Sequence, residues 1–170
     1  MSKKALLVIS FGTSYLETRK KTIGAIEKDL QDHFPDHDFR RAFTSRMIIK
    51  KLSERDNEQV DIPHEALEKL KEEGYTEVVC QTTHVINGYE YDLTINELKK
   101  FENDFEVLTI GAPLLTTIED YERTATIVAQ ELPELLAGEA LVYMGHGSEH
   151  HANATYPAMD YTFKHLGYKN

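Results

Sequence analysis

No run of apolar residues in this 170-residue sequence approaches the roughly 20 needed to cross a bilayer, which argues against a membrane-spanning helix. Cysteine is nearly absent. Cys80 stands alone, so no internal disulfide can form, which fits a reducing cytoplasm. Its setting in "EVVCQ" reads as a buried structural thiol rather than a reactive one. Cations are in short supply too. With a formal net charge of -10, the chain lacks the excess of Lys and Arg by which non-specific nucleic-acid or anionic-membrane binders recruit their partners. A small molecule or a cation is the ligand that fits this balance. The opening "MSKKALLVIS" carries two lysines and an apolar run, but the run stops at Phe11 and no small-residue cleavage site follows; it reads as a first strand. Several catalytic signatures are missing as well. Neither G-x-G-x-x-G nor G-x-x-x-x-G-K-[ST] occurs, which discounts a dinucleotide or P-loop site, and there is no G-x-S-x-G elbow and no Cys-x-x-Cys pair. No convincing internal repeat or low-complexity region is present.

What remains is ordinary for a folded domain: 41% hydrophobic and 28% charged residues. A domain of this size buries roughly 70% of the surface its unfolded chain exposes, enough for a proper core. Apolar runs rich in β-branched residues alternate with amphipathic stretches. "KALLVIS", "DFRRAFT", "EVVCQTT", "FEVLTIG" and "ALVYMG" read as strands, and continuous runs such as "ALLVI" suggest strands covered on both faces. Between them, the segment from Tyr15 to Phe34 reads as one helix facing inward through Ile23, Ile26 and Leu30. "TSRMIIKKLSERD" predicts a shorter helix. In "DIPHEALEKLKEEG" Pro63 suits the first turn, Leu67 and Leu70 face inward, and Gly74 suits a left-handed cap. Tyr91, Ile95 and Leu98 mark a fourth helix. Thr117 and Asp120 form a capping box ahead of a stripe of Ile118, Tyr121, Ala125 and Val128, and the spacing of Ala152, Tyr156, Met159, Phe163 and Leu166 predicts a tightly packed last helix. This alternation predicts an α/β fold: a doubly wound, mostly parallel sheet.

Ligands of such sheets bind outside the carboxyl ends of the strands, which selects "SFGTS", "FTSR", "THVINGYEY", "GAPLLTT" and "GHGSEHH". The last loop packs three of eight histidines into six residues. His146, Glu149 and His150 spell H-x-x-E-H, the pattern of one zinc peptidase class, but that pattern needs one helical face and His146 follows a strand with Gly147 beside it. His150 and His151 are also readable as a helix cap or surface residues. The third reading is a single functional imidazole, His146, held between Gly145 and Gly147, able to ligate a divalent metal or accept a proton near neutral pH. Ser10, Phe11, Gly12, Thr13 and Ser14 make either a carboxylate or phosphate cradle or a plain strand-to-helix turn. His84, ahead of the Asn87-Gly88-Tyr89 turn, is either a ligand-facing or a hydrogen-bonded loop residue. Arg40, Arg41, Arg46, Lys50 and Lys51 form either a solvated helix face or an anchor for a polyanionic ligand. A faint echo between "LLVISFGTS" and "LVYMGHGSE" hints at two related halves.

The segments "KKALLVISFGTSY", "RAFTSRMIIKKL", "THVINGYEY", "GAPLL" and "MGHGSEHHANATY", in that order, resemble those of the sirohydrochlorin cobaltochelatase family of anaerobic cobalamin biosynthesis, similar in architecture to ferrochelatase. The resemblance runs from the first residues to about Tyr161. It implies two α/β lobes around a tetrapyrrole cleft and insertion of cobalt(II), with iron, nickel or zinc as substitutes and no tightly bound cofactor. His146 matches the family's metal-ligating, proton-accepting histidine. Ser10 to Ser14, His84, Asn87 to Tyr89, Gly145 and Gly147 are the expected substrate contacts. The family's chain continues into a second lobe that brings a glutamate and a second histidine to the metal. Residues 1–137 are therefore expected to form the first lobe and 138–170 the opening strand and helix of an incomplete second one. Either the chain is a fragment or truncated product, or a second copy supplies the missing wall. A strand at "ALVYMG" is expected to join the first sheet or to pair with another chain.

Overall fold

The computed structural model describes residues 2–132, 136 and 138–168. The chain divides into two compact units, Met1–His84 with Glu90–Ala112, and Val85–Tyr89 with Pro113–Asn170.

The first unit is built on four parallel strands in the order β2-β1-β3-β4: β1 Lys4–Ser10, β2 Asp38–Phe43, β3 Glu77–Thr82 and β4 Val107–Ile110. All four fall on stretches read as strands from the sequence. Ala5 through Ile9 are fully buried because helices cover both faces of β1, as its unbroken apolar run requires. On one face Leu7, Ile9, Ala42, Val78 and Cys80 pack against Leu67 and Leu70 of α4 (Pro63–Glu72) and Leu98 of α5 (Tyr89–Leu98). On the other, Phe43 packs against Leu52, Ile48 and Ile49 of α3 (Arg46–Asp56). The inward residues of α4 and its left-handed Gly74, at φ +79°, match the pattern read from the sequence.

The helix expected from Tyr15 to Phe34 is two helices, α1 (Leu16–Lys21) and α2 (Ile23–His33). They part at Thr22, whose hydroxyl donates to the Thr18 carbonyl at 2.8 Å while its backbone leaves the helical region at φ -116°, ψ -89°. Nor is the α2 stripe the expected one, since Ile26 is exposed and the residue turned inward is Glu27. The cause is a cation under the helix: Glu27 accepts bonds from both Nε (2.6 Å) and Nη2 of Arg41 on β2.

Cys80 is wholly buried, and burial pushes its thiol up to about 12. It is expected to resist a disulfide reagent such as DTNB at about pH 8 for as long as the protein stays folded, and to react within seconds in denaturant. Rapid stoichiometric labelling of native protein would contradict this placement.

In the second unit α6 (Ile118–Gln130) carries the expected capping box. Asp120 N–H donates to Thr117 Oγ1 at 3.2 Å, and Thr117 N–H returns a bond to Asp120 Oδ2 at 2.8 Å. These bonds, with others to Thr116, hold the Asp120 carboxyl below the usual carboxylate range. Ala125 is buried as expected, but Ile118, the first residue of α6, is 75% exposed. The last helix, α7 (Thr155–His165), follows a 3₁₀ turn at His151–Ala154. It does not pack tightly. Leu166 is exposed, and Tyr156, Met159 and Phe163 line an open groove of about 900 Å³ together with Val128 and residues 140–145.

"ALVYMG" is not a strand in the described residues. Residues 140–145 run without ladder pairing, with Val142 84% and Met144 95% exposed. A β-branched, apolar stretch becomes a strand only where a neighbouring edge accepts its N–H and C=O groups, and the second unit offers no other strand among its described residues.

Candidate functional site

The strand order reverses between β1 and β3, and at such a switch point the loops leaving the carboxyl ends splay apart and open a crevice. Ser10 closes β1, in register with Phe43 on β2, and Ile9 is in register with Thr82 on β3. The loop Phe11–Ser14 is tied to its neighbour: Thr44 N–H donates to the Ser10 carbonyl at 2.9 Å, and Ser45 N–H to the Phe11 carbonyl at 3.3 Å. Thr13 Oγ1 accepts from Tyr15 N–H at 3.3 Å, and the Ser14 carbonyl accepts from Arg55. Gly12 is required twice over, by its φ of +92° and because a Cβ there would lie 2.6 Å from the Phe43 ring.

Four side-chain atoms along this edge are buried without a hydrogen-bond partner among the described residues: Ser10 Oγ, Thr44 Oγ1, Thr82 Oγ1 and His84 Nδ1. A buried polar atom without a partner is costly, so orphans gathered on one strand edge mark where a ligand or ordered water would bond. Ser10 and His84 were candidates from sequence. Thr44 and Thr82 were not, although Thr44 lies in the "FTSR" loop already singled out and Thr82 ends β3 just ahead of "THVINGYEY".

His84 is half-buried, edge-on to Tyr91 with ring centroids 5.9 Å apart. Burial pulls its imidazole below the ordinary value of 6.5, opposed by the nearby Glu90 carboxylate. The sign follows. On acidification an unfolded chain takes up this proton first, so His84 contributes a stability term that is lost as pH falls through 6.5. An NMR titration is expected to place its midpoint below pH 6.5; a midpoint at or above that value would remove the assignment.

The remaining candidates fall in the second unit. Asn87 and Tyr89 are exposed and Gly88 is buried; the segment bends with Gly88 N–H donating to the Ile86 carbonyl at 2.9 Å and needs no positive φ at Asn87 or Gly88. At the histidine cluster both glycines have a physical reason. A Cβ on Gly145 would sit 2.3 Å from the Tyr156 ring, and Gly147 holds φ +77°. The loop is pinned to the helix behind it. Gly147 N–H donates to the Tyr156 hydroxyl at 3.0 Å and Ser148 N–H to Asn153 Oδ1 at 3.1 Å. Between the glycines the His146 imidazole is exposed, with Nδ1 3.0 Å from the Gly147 carbonyl. A proton on Nδ1 donated to that carbonyl leaves the Nε2 lone pair available to solvent, to a metal or to a proton.

His150 does something else. Its Nδ1 accepts from Ala152 N–H at 3.2 Å, capping the 3₁₀ turn, as one of the sequence readings had it. His146 lies in the extended segment ahead of that turn, so the single helical face that H-x-x-E-H demands does not form. No group of three or more His, Cys, Asp or Glu side chains among the described residues is placed to hold a metal. Ser10 to Ser14 and His84 thus belong to one unit, and Asn87 to Tyr89 and Gly145 to Gly147 to the other.

Residues 4–170 match the family model described as cobalt chelatase (CbiK). The chain is 47% identical over 159 residues to the sirohydrochlorin cobaltochelatase of Salmonella typhimurium, an alignment covering 94% of this chain and 60% of that protein. It is 34% identical over 165 residues to the sirohydrochlorin cobaltochelatase CbiKC of Nitratidesulfovibrio vulgaris, covering 94% of this chain and 57% of that protein. The chain therefore spans about three fifths of the length of these curated relatives. With a match that runs over nearly every residue, through the parallel sheet and both glycine-framed loops, the chain belongs to the cobalt chelatase (CbiK) family.

Proposed function

We propose that this chain takes part in inserting cobalt(II) into sirohydrochlorin, in anaerobic cobalamin biosynthesis in the cytoplasm, with His146 as the residue that meets the metal. The observation carrying this reading is the exposed His146 imidazole, framed by two glycines and oriented by the Gly147 carbonyl, in a chain of the cobalt chelatase family. Insertion exchanges two pyrrole N–H protons for one divalent ion, so the open face of the macrocycle needs a base and a transient ligand. A neutral imidazole can serve as both. The metal is a substrate in this scheme, and a permanent cage of donors would hold it back. Imidazole also accepts iron, nickel and zinc, so the choice of cobalt rests on family membership.

One donor does not complete a coordination sphere. We assign the other donors to a second lobe, supplied by further chain or by a second copy. The test is cobalt insertion into sirohydrochlorin followed by absorbance, for this chain and for the chain extended by a relative's second lobe. Insertion by either supports the proposal, and failure of both overturns it. The lack of a three-donor cluster among the described residues favours a second reading, a non-catalytic metal- or tetrapyrrole-binding module. Calorimetry with cobalt and with sirohydrochlorin separates the two: binding of either without turnover in both forms supports the module.

A further inference from the structure

His146 sits between Gly145 and Gly147, whose torsions lack the restraint that a Cβ imposes. A residue that meets a metal and takes up a pyrrole proton needs a fixed direction, and a loop free to turn would deny it one. What fixes the loop comes from the chain just behind it. Gly147, at φ +77°, joins two peptide planes, and the N–H of each plane is bonded to a different side chain. The plane between His146 and Gly147 donates to the Tyr156 hydroxyl at 3.0 Å. The plane between Gly147 and Ser148 donates to Asn153 Oδ1 at 3.1 Å.

The second plane is the one that reaches the imidazole. Its carbonyl oxygen is that of Gly147, 3.0 Å from His146 Nδ1. In a trans peptide the N–H and C=O are coplanar and point opposite ways, so an acceptor that holds the Ser148 N–H also aims the Gly147 carbonyl. A carbonyl only accepts, so Nδ1 carries the proton and Nε2 keeps its lone pair. The bonds run in series from His146 Nδ1–H through the Gly147 peptide and the Ser148 N–H to Asn153 Oδ1. Bonds in series polarise one another, so the Asn153 acceptor also makes the Gly147 carbonyl a stronger partner for the ring.

Asn153 is itself firmly seated. It lies in the 3₁₀ turn His151–Ala154, where its backbone N–H donates to the His150 carbonyl at 2.9 Å, a bond that does not depend on its side chain. Two residues on, Thr155 is buried, and its hydroxyl lies 3.1 Å from that of Tyr121 on α6. The Asn153 side chain is exposed, so replacing it opens no core.

We propose that Asn153 is a positioning residue for His146, fixing the ring through the Gly147–Ser148 peptide with the proton on Nδ1 and Nε2 left open for the metal. This assignment rests on the reading of His146 given above.

The experiment pairs NMR of the His146 ring with cobalt insertion, for wild type, Asn153→Ala, Asn153→Asp, Tyr161→Phe and His146→Ala. The last identifies the ring signals by their loss. At about pH 8, where an ordinary imidazole is neutral, the wild-type ring is expected as the Nδ1–H tautomer. In Asn153→Ala the proton is expected to spread over both nitrogens. The kcat for insertion, in whichever form inserts cobalt, is expected to fall about 10-fold, with KM for sirohydrochlorin within about twofold. Asn153→Asp keeps the acceptor and restores both tautomer and rate. Tyr161→Phe removes an exposed hydroxyl from α7 and changes neither. A melting curve for each variant establishes that it is folded. A wild-type tautomer in Asn153→Ala, or a kcat within about twofold of wild type, overturns the assignment and leaves the chelatase reading standing. So does Asn153→Asp behaving like Asn153→Ala. Insertion by His146→Ala at the wild-type rate, or no insertion by any form, overturns that reading and this assignment with it.

Discussion

Replacing His146 by alanine is expected to lower cobalt insertion by at least about 100-fold while leaving the thermal midpoint unchanged. The asymmetry follows from what the side chain touches. The imidazole is exposed and, among the described residues, its ring bonds only to the carbonyl of the next residue, so removing it exposes no core and orphans no buried group there. The backbone of the loop is held by other groups, the Tyr156 hydroxyl and Asn153 Oδ1, and these survive the substitution. The chemical role proposed for it has no such backup. The neighbouring His150 is turned into its own cap, and no three-donor cluster among the described residues could take over. The measurement is the initial rate of metallation by absorbance, in whichever form inserts cobalt, beside a melting curve. A rate within threefold of wild type would remove His146 from the mechanism. A large drop in midpoint would show that the loop, and not the imidazole, was being tested.

The second large effect is on stability. Glu27→Ala is expected to cost about 3–5 kcal/mol, the usual penalty for removing one partner of a buried ion pair. The Glu27 side chain is only 3% exposed, and both its oxygens accept from Arg41. Arg41 in turn lies 3.9 Å from Glu58, which pairs with the buried Arg19 at 2.8 Å. This chain of charges links α2, β2, the loop after α3, and α1. Without Glu27 the Arg41 guanidinium loses both bonds and stays pressed against the helix, and the methyl group of alanine cannot answer them. For a chain of this size the loss corresponds to a fall in thermal midpoint on the order of 10 °C. Glu27→Gln keeps the shape and one acceptor, and should fall between. A midpoint for Glu27→Ala within about 2 °C of wild type would show that the pair is not buried in solution. Exposed pairs such as Lys28–Asp32 and Lys164–Asp160 predict almost nothing when cut, because water and salt already screen them.

Much of this molecule follows from local pattern. The four strands of the sheet, the inward leucines of α4, its left-handed glycine and the Thr117–Asp120 box are all set by residues a few positions apart, where hydrophobic period and capping chemistry leave little choice. The same holds for His146 as the distinctive imidazole, since two flanking glycines and a preceding apolar run are visible in the chain itself. What misled was what lies across space. Periodicity placed Ile26 inside and Glu27 outside, and the reverse is true because an arginine on another element waits under α2. "ALVYMG" has strand composition but no edge to pair with in its unit. The basic stretch from Arg40 to Lys51 could not be sorted until its carboxylate partners, up to 33 positions away, were placed beside it.

The sequence by itself determined the parallel sheet, the loops at its carboxyl edge and the glycine-framed setting of His146, because periodicity, glycine placement and side-chain type are properties of neighbours along the chain. Only the tertiary structure decided which charges are spent, which polar atoms are left buried without a bond, and which apolar segment stays unpaired, because each depends on what another part of the chain brings within about 4 Å.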